Sequence, residues 1–259
     1  MALVEVRTDG DIGTLVLDNG RKHNALSHAL VDELIAALAD FRQREIRAVV
    51  LRAQPGVKVW SAGHDVGELP EGRRDPLGWD DPLRELVRAI ETHPAPIIAM
   101  IEGTVWGGAV ETVLACDIVI ATPETTFAVT PARLGVPYNV SGMMTFMSAA
   151  SLRVVKELAF TAAPIGAERA ERVGMINHVV PLSDLETFSY DMARTIAANA
   201  PLSIAVMKEQ LRVLAGAKPV SPRGFEKVQG LRRVVYDSHD YAEGIRAFKE
   251  KRAPRYLGK

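Results

Sequence analysis

The sequence predicts a layered α/β fold with a helical C-terminal region, and three observations carry that prediction. Short β-rich runs alternate with helical patterns through the first half of the chain. From Ser151 onward the apolar periodicity turns almost wholly helical. The composition, 259 residues with 47% hydrophobic and 24% charged content, is ordinary for a soluble globular chain and long enough for a sizeable core.

The elements follow in order. GTLVLD at 13–18 reads as a strand, and the helix after it carries Leu30, Leu34, Leu38 and Phe41 at helical spacing with Ser27 as N-cap. AVVLRA at 48–53 is the next strand. A polar stretch, PEGRRDPLGWDDP at 70–82, leads to a helix around 83–92 and then to the strand PIIAMIEG at 96–103. Two glycines, Gly107 and Gly108, precede a short helix, and DIVIA at 117–121 is again a strand. Helical patterns then cover 152–160, 167–173 and 182–214, the last interrupted at Pro201. AGAKPVSPRG at 215–224 is a loop before two more helices. The division expected is a core over 1–200 and a helical region over 201–259, which must pack on that core or on another subunit.

Charge and composition exclude several classes of function. A net charge of −1 gives no basic footprint for nucleic acid, and the candidate helices are mixed in sign. The single cysteine, Cys116, rules out an internal disulfide and sits in an apolar run, where it reads as a small buried hydrophobe in a reducing, cytoplasmic setting. The N-terminal MALVEVRTDGDIG lacks a signal pattern, and no apolar run approaches the roughly 18 residues of a membrane span. No His, Cys and carboxylate cluster has metal-ligand spacing, and no phosphate-cradling G-x-x-x-x-G-K-[ST] occurs.

Three segments hold unusual residues: SAGHD at 61–65, VWGGAVE at 105–111 and LGVPYN at 134–139. Gly107 and Gly108 either turn a strand tightly into a helix or let backbone N–H groups approach a ligand that a Cβ would block. Glu111 places a carboxylate in an apolar helix, which is unfavourable unless the group is paired or used. The tryptophans Trp60, Trp79 and Trp106 read as packing residues, with Trp106 placed to wall a pocket beside Gly107.

These segments, with RKHNALS, ACDIVIATPETTFAVTPARLGVP, AERAERVGMINHVV, APLSIAVMKEQL and FKEKRAP, resemble the crotonase, or enoyl-CoA hydratase, superfamily over essentially the full length. The resemblance implies a spiral of strand-strand-helix units with a helical C-terminal trimerisation region. It also implies homotrimers or homohexamers, and an acyl-CoA substrate whose coenzyme A is part of the substrate rather than a cofactor. Carried over residue by residue, the two N–H donors that polarise a thioester carbonyl fall on His64 and Gly108. The donor at 64 is the peptide, so the imidazole is not required for it. Glu111 matches the first of two glutamates that hydratases use to manage water. Lys22, Ala25, Ala62, Trp106, Gly107, Pro131, Phe248 and Lys251 match substrate-contacting positions, the last two often reaching a neighbouring subunit.

Pro131 stands where the second glutamate belongs, and proline can neither hold a water nor pass a proton. That departure speaks against two-carboxylate hydration. Decarboxylation of a malonyl-type thioester needs an enolate-stabilising pair of donors and no base, because loss of CO₂ itself leaves the electrons. Tyr138 is a neutral donor suited to orient the departing carboxylate. Further segments, GRRDPLGWDDPLR, TPARLGVPYN and QGLRRVVYDSHDYAEG, narrow the resemblance to members that turn a methylmalonyl thioester into a propionyl one. The alternative expectation is hydration of a short-chain 2-enoyl-CoA.

Overall fold

Alternation between two sheets organises the chain. The computed structural model describes residues 2–69, 75–217 and 220–259. It opens with β1 (Val4–Asp9), β2 (Ile12–Leu17) and α1 (His28–Gln43), followed by β3 (Ala48–Ala53), β4 (Val59–Ser61) and α2 (Pro82–Glu91). The pattern repeats with β5 (Ile97–Ile101), β6 (Thr104–Trp106) and α3 (Gly108–Ala115), and again with β7 (Ile118–Ala121), β8 (Thr126–Ala128) and α4 (Val140–Ala149). Then come α5 (Leu152–Thr161), β9 (Ile165–Gly166), α6 (Ala167–Arg172), β10 (His178–Val179), α7 (Leu182–Ala197), α8 (Pro201–Ala215), α9 (Pro222–Tyr236) and α10 (His239–Lys249).

After the first unit, whose two strands both join the larger sheet, each strand-strand-helix unit places one strand in each sheet. The larger sheet has the order β1-β2-β3-β5-β7-β10, parallel except for β1, and the smaller has the order β4-β6-β8-β9, with β9 antiparallel. This is the expected spiral. Because parallel strands are covered on both faces, β2 and β3 are buried along their whole length. Val49 and Leu51 face the main core with Leu30, Leu34, Leu38 and Phe41 of α1. Val50, Ile98 and Ile120 face the other side, where α7 covers them with Leu185, Ala193 and Ala197. Ser27 caps α1 by accepting from Leu30 N, as its position predicts.

Several elements depart from the expectation, β4, β6, β8 and α4 among those it did not name. The region after Ser151 is not wholly helical, since β9 and β10 interrupt it; strands of two residues leave no periodicity to read. β1 was not foreseen either, because a strand reading VEVRTD is polar, with only Val4 buried, as suits a sheet edge. Of the polar stretch 70–82, residues 70–74 lie outside the described residues.

The C-terminal helices divide into two kinds. α8 buries none of its residues and exposes Leu202, Leu211 and Leu214. It is tied to the body by Lys208, whose ammonium donates to Asp117 Oδ2 at 2.7 Å and to Ile90 O at the end of α2 at 3.1 Å. α9 and α10 instead send Tyr236, Tyr241 and Ile245 into the same core as Val49 and Leu51. No described helix is long and apolar enough to cross a membrane.

Candidate active site

The end of β4 runs through Ala62 and Gly63 to His64, which pairs with Leu26 as a single parallel bridge. Leu26 donates to Gly63 O at 2.8 Å and accepts from Asp65 N at 3.4 Å. The His64 peptide lies between those two, so its N–H is turned to the opposite side. Gly108 lies there, and a Cβ placed on it would stand 3.4 Å from the His64 nitrogen. Gly63 permits the approach: its φ is +85°, and a side chain on it would fall 2.7 Å from Gly108 N.

Gly107 answers the question posed by the glycine pair. Its φ of 55° turns β6 into α3, and its own N–H donates to Ala128 O at 2.8 Å. Gly108 is therefore the first residue of α3, with an N–H that the helix cannot satisfy and the positive end of the helix dipole behind it. Among the described residues, neither the His64 nor the Gly108 N–H donates to another backbone group. The His64 and Gly108 peptides are thus brought close together from two segments far apart in sequence.

Both residues line a cavity of about 660 Å³. Leu77, Leu83, Val136 and Pro131 make much of its wall apolar, and Trp106 stands beside Gly107 as expected. Lys22, His23, Ala25, Ala62 and Thr130 also reach it. Lys22 is largely exposed and holds Asp65 Oδ2 at 3.1 Å. Phe248 lines the cavity of its own chain, because α10 folds back over the 3-10 turn Pro131–Leu134 with Gly244 pressed against Leu134. Lys251 is not brought to the cavity; it lies exposed in the turn after α10.

Tyr138 lines the same cavity, and its hydroxyl is buried without a hydrogen-bond partner among the described residues. Its ring stands edge-on to Phe146, with centroids 5.2 Å apart. Burial and the neighbouring Glu111 carboxylate push the phenol well above its ordinary pKa, so it stays a neutral donor.

Glu111 stands behind Tyr138, whose phenol its carboxylate influences. It does not line the cavity. Arg84 of α2 takes Oε1 in a closely drawn ion pair, and both side chains are shut off from solvent. Oε2 is buried without a hydrogen-bond partner among the described residues. Burial pushes the carboxyl pKa up to about 7, against the pull of Arg84. The sequence signal was present but unread: Arg84 falls on the apolar face of α2 with Leu83, Val87 and Ile90, where a lone cation needs an anion.

The His64 imidazole has a structural assignment. Nε2 lies 2.9 Å from Asp81 Oδ2 and Nδ1 lies 3.2 Å from Asp65 O. Both neighbours are acceptors, so both are satisfied only by the doubly protonated ring. Burial lowers the pKa, yet the Asp81 carboxylate and the Asp65 carbonyl outweigh it and raise the value overall. Asp81 also caps α2 through Leu83 N at 3.0 Å. The ring therefore fixes where the His64 backbone sits relative to α2. Among the described residues no group of His, Cys, Asp and Glu is arranged to hold a metal ion.

Comparison with known proteins adds the following. The sequence model of a family described as enoyl-CoA hydratase/isomerase matches residues 7–259. The chain is 51% identical to a protein of Escherichia coli (strain K12) named methylmalonyl-CoA decarboxylase, over 98% of each chain. It superposes with a TM-score of 0.98, at 50% identity and over 100% of this chain and 99% of the other, on a methylmalonyl-CoA decarboxylase complexed with 2S-carboxypropyl-CoA. Similarity to a Bos taurus protein named enoyl-CoA hydratase domain-containing protein 2, mitochondrial, is lower, at 28% identity over 95% of this chain and 84% of that protein.

Proposed function

This chain belongs to the enoyl-CoA hydratase/isomerase family, and from that premise we propose that it decarboxylates methylmalonyl-CoA to propionyl-CoA. One observation carries the reading. A buried, neutral phenol at Tyr138, without a hydrogen-bond partner among the described residues, shares an apolar cavity with Gly108, His64 and Pro131, the last of which the family resemblance sets where a second carboxylate would stand. Its near-identity in fold to a methylmalonyl-CoA decarboxylase supports the same substrate.

In this reading the thioester carbonyl accepts from the His64 and Gly108 peptides. The Tyr138 hydroxyl donates to the malonyl carboxylate and holds it out of the thioester plane, so that the breaking C–C bond overlaps the carbonyl π system. That bond's electrons pass into the carbonyl as CO₂ leaves, and the resulting enolate oxygen carries the charge between the two donors. One such donor is worth about 3 kcal/mol in the transition state. The apolar walls Leu77, Leu83 and Val136 favour dispersal of the carboxylate charge. A proton then joins Cα and completes propionyl-CoA.

The reading extends to assembly and setting. The apolar face that α8 leaves exposed supports a homotrimer or a pair of trimers. The cytoplasm suits a chain with one buried cysteine and no disulfide.

Methylmalonyl-CoA and crotonyl-CoA offered in parallel test the assignment. CO₂ and propionyl-CoA are expected from the first, with little or no loss of enoyl absorbance from the second. Tyr138→Phe should lower decarboxylation sharply and Glu111→Gln should lower it less. Fast hydration that Glu111→Gln abolishes and Tyr138→Phe leaves alone would replace this reading with the hydratase one.

A further inference from the structure

Arg232 of α9 does not line the cavity, yet it is only 4% exposed. Its Nη2 donates to Asp75 Oδ1 and to the Tyr236 hydroxyl, each at 2.7 Å, and its Nη1 donates to Gln229 Oε1 at 2.9 Å. A buried guanidinium is unfavourable unless its surroundings use it. What it is joined to leads back to the site.

From Asp75 the path continues through Leu77. Asp75 Oδ1 accepts from Leu77 N at 2.9 Å, and Leu77 O accepts from Asn139 Nδ2 at 2.9 Å. From Tyr236 a second path runs to Pro137, whose carbonyl accepts from the Tyr236 hydroxyl at 3.2 Å. Both paths end on the residues that flank Tyr138. Asn139 is held further, because its Oδ1 accepts from Gly142 N at 2.7 Å at the start of α4. The polar ring therefore runs Arg232, Asp75, Leu77, Asn139, back across Tyr138 to Pro137, Tyr236 and Arg232.

Tyr138 needs such a frame. No acceptor among the described residues fixes its hydroxyl, so the phenol points where its backbone and the edge contact with Phe146 aim it. Leu77, a cavity wall residue, is held by the same ring.

We propose that Arg232 is a positioning residue for the reaction, acting through Asp75 and Tyr236 to set the backbone on both sides of Tyr138. The proposal rests on the reading of Tyr138 as the donor that orients the malonyl carboxylate. A part in holding α9 alone would affect stability without acting through the phenol.

A double-mutant cycle separates these roles. Arg232→Met should lower kcat on methylmalonyl-CoA by about tenfold to a hundredfold, as misplacing a catalytic group does. Binding of propionyl-CoA, which has no carboxylate to orient, should change little. In a Tyr138→Phe background the same substitution should lower kcat no further, because the group through which it acts is gone. Arg232→Lys should recover part of the loss by keeping a donor near Asp75. Equal factors in both backgrounds would overturn the proposal. If Tyr138→Phe alone leaves turnover unchanged, the reading of Tyr138 fails and the proposal falls with it. Should Arg232→Met not fold, Tyr236→Phe, which removes the donor to Pro137, enters the same cycle with the same expected outcomes.

Discussion

Arg84 and Glu111 form a closed ion pair between α2 and α3, with one carboxylate oxygen on the guanidinium and the other buried without a hydrogen bond to any described residue. The two charges are therefore interdependent. Arg84→Met, which strands the carboxylate, should destabilise the fold by about 3–5 kcal/mol, whereas Arg84→Met with Glu111→Leu should recover most of the loss. Urea unfolding of the two variants checks it.

The same pair makes stability depend on pH. The Glu111 carboxyl is raised from 4.5 to about 7, so between those values the folded chain binds more protons than the unfolded one. Stability from this group is consequently lost as pH rises through that window. Glu111→Gln cannot titrate there. Its stability relative to the parent should improve from about pH 5 to about pH 7.5, as measured by unfolding midpoints across the range. A constant difference would contradict the raised value.

A side chain at Gly108 meets Leu83 Cδ2 at 2.7 Å as well as standing 3.4 Å from His64 N. Gly108→Val should therefore reduce kcat on the order of 10² or more by displacing the acyl oxygen from the donors. Adding Leu83→Ala should relieve the crowding and restore stability without restoring turnover. Steady-state rates and melting curves of the single and double variants distinguish the two effects.

Asp81→Asn should lower the His64 pKa, because it removes the carboxylate that raises it. Asparagine still caps α2, so the helix start is preserved. Since the folded histidine value is raised, its stabilisation is full below the ordinary imidazole pKa and fades as pH rises through the raised one. The stability gap between parent and variant should thus be widest near about pH 6 and narrow above it. Imidazole NMR titration gives the pKa directly.

Leu211 is 67% exposed on α8, near the equally bare Leu214. Leu211→Glu should weaken assembly while leaving the monomer folded, because the position makes no core contact. Light scattering should report a trimer or hexamer for the parent and a smaller species for the variant.

The sequence was most informative where one residue suffices. AVVLRA marks β3 end to end, Ser27 marks the start of α1, and Gly107 marks the turn into α3. Positions matched by resemblance, such as Ala25, Ala62, Trp106 and Pro131, do meet at one cavity. What stayed hidden depends on pairs distant along the chain. Glu111 and Arg84 were each visibly in need of a partner, but no spacing ties the two across the 27 positions between them. Asp81 and His64 meet only because α2 begins beside the end of β4. Arg232 and Asp75, 157 positions apart, carry no shared periodicity at all.

In the proposed reaction, the two peptide donors and the residues read as selecting the chemistry are carried on different stretches of chain. His64 follows β4 and Gly108 opens α3, whereas Pro131 and Tyr138 both lie between β8 and α4. On that reading, the stretch from 130 to 138 is separable from the peptides that would activate the carbonyl. Substitution within it would change which bond breaks and leave those peptides in place. A change between water addition and loss of CO₂ would then need few substitutions, since the two peptides, one following a strand and one opening a helix, stay where they are.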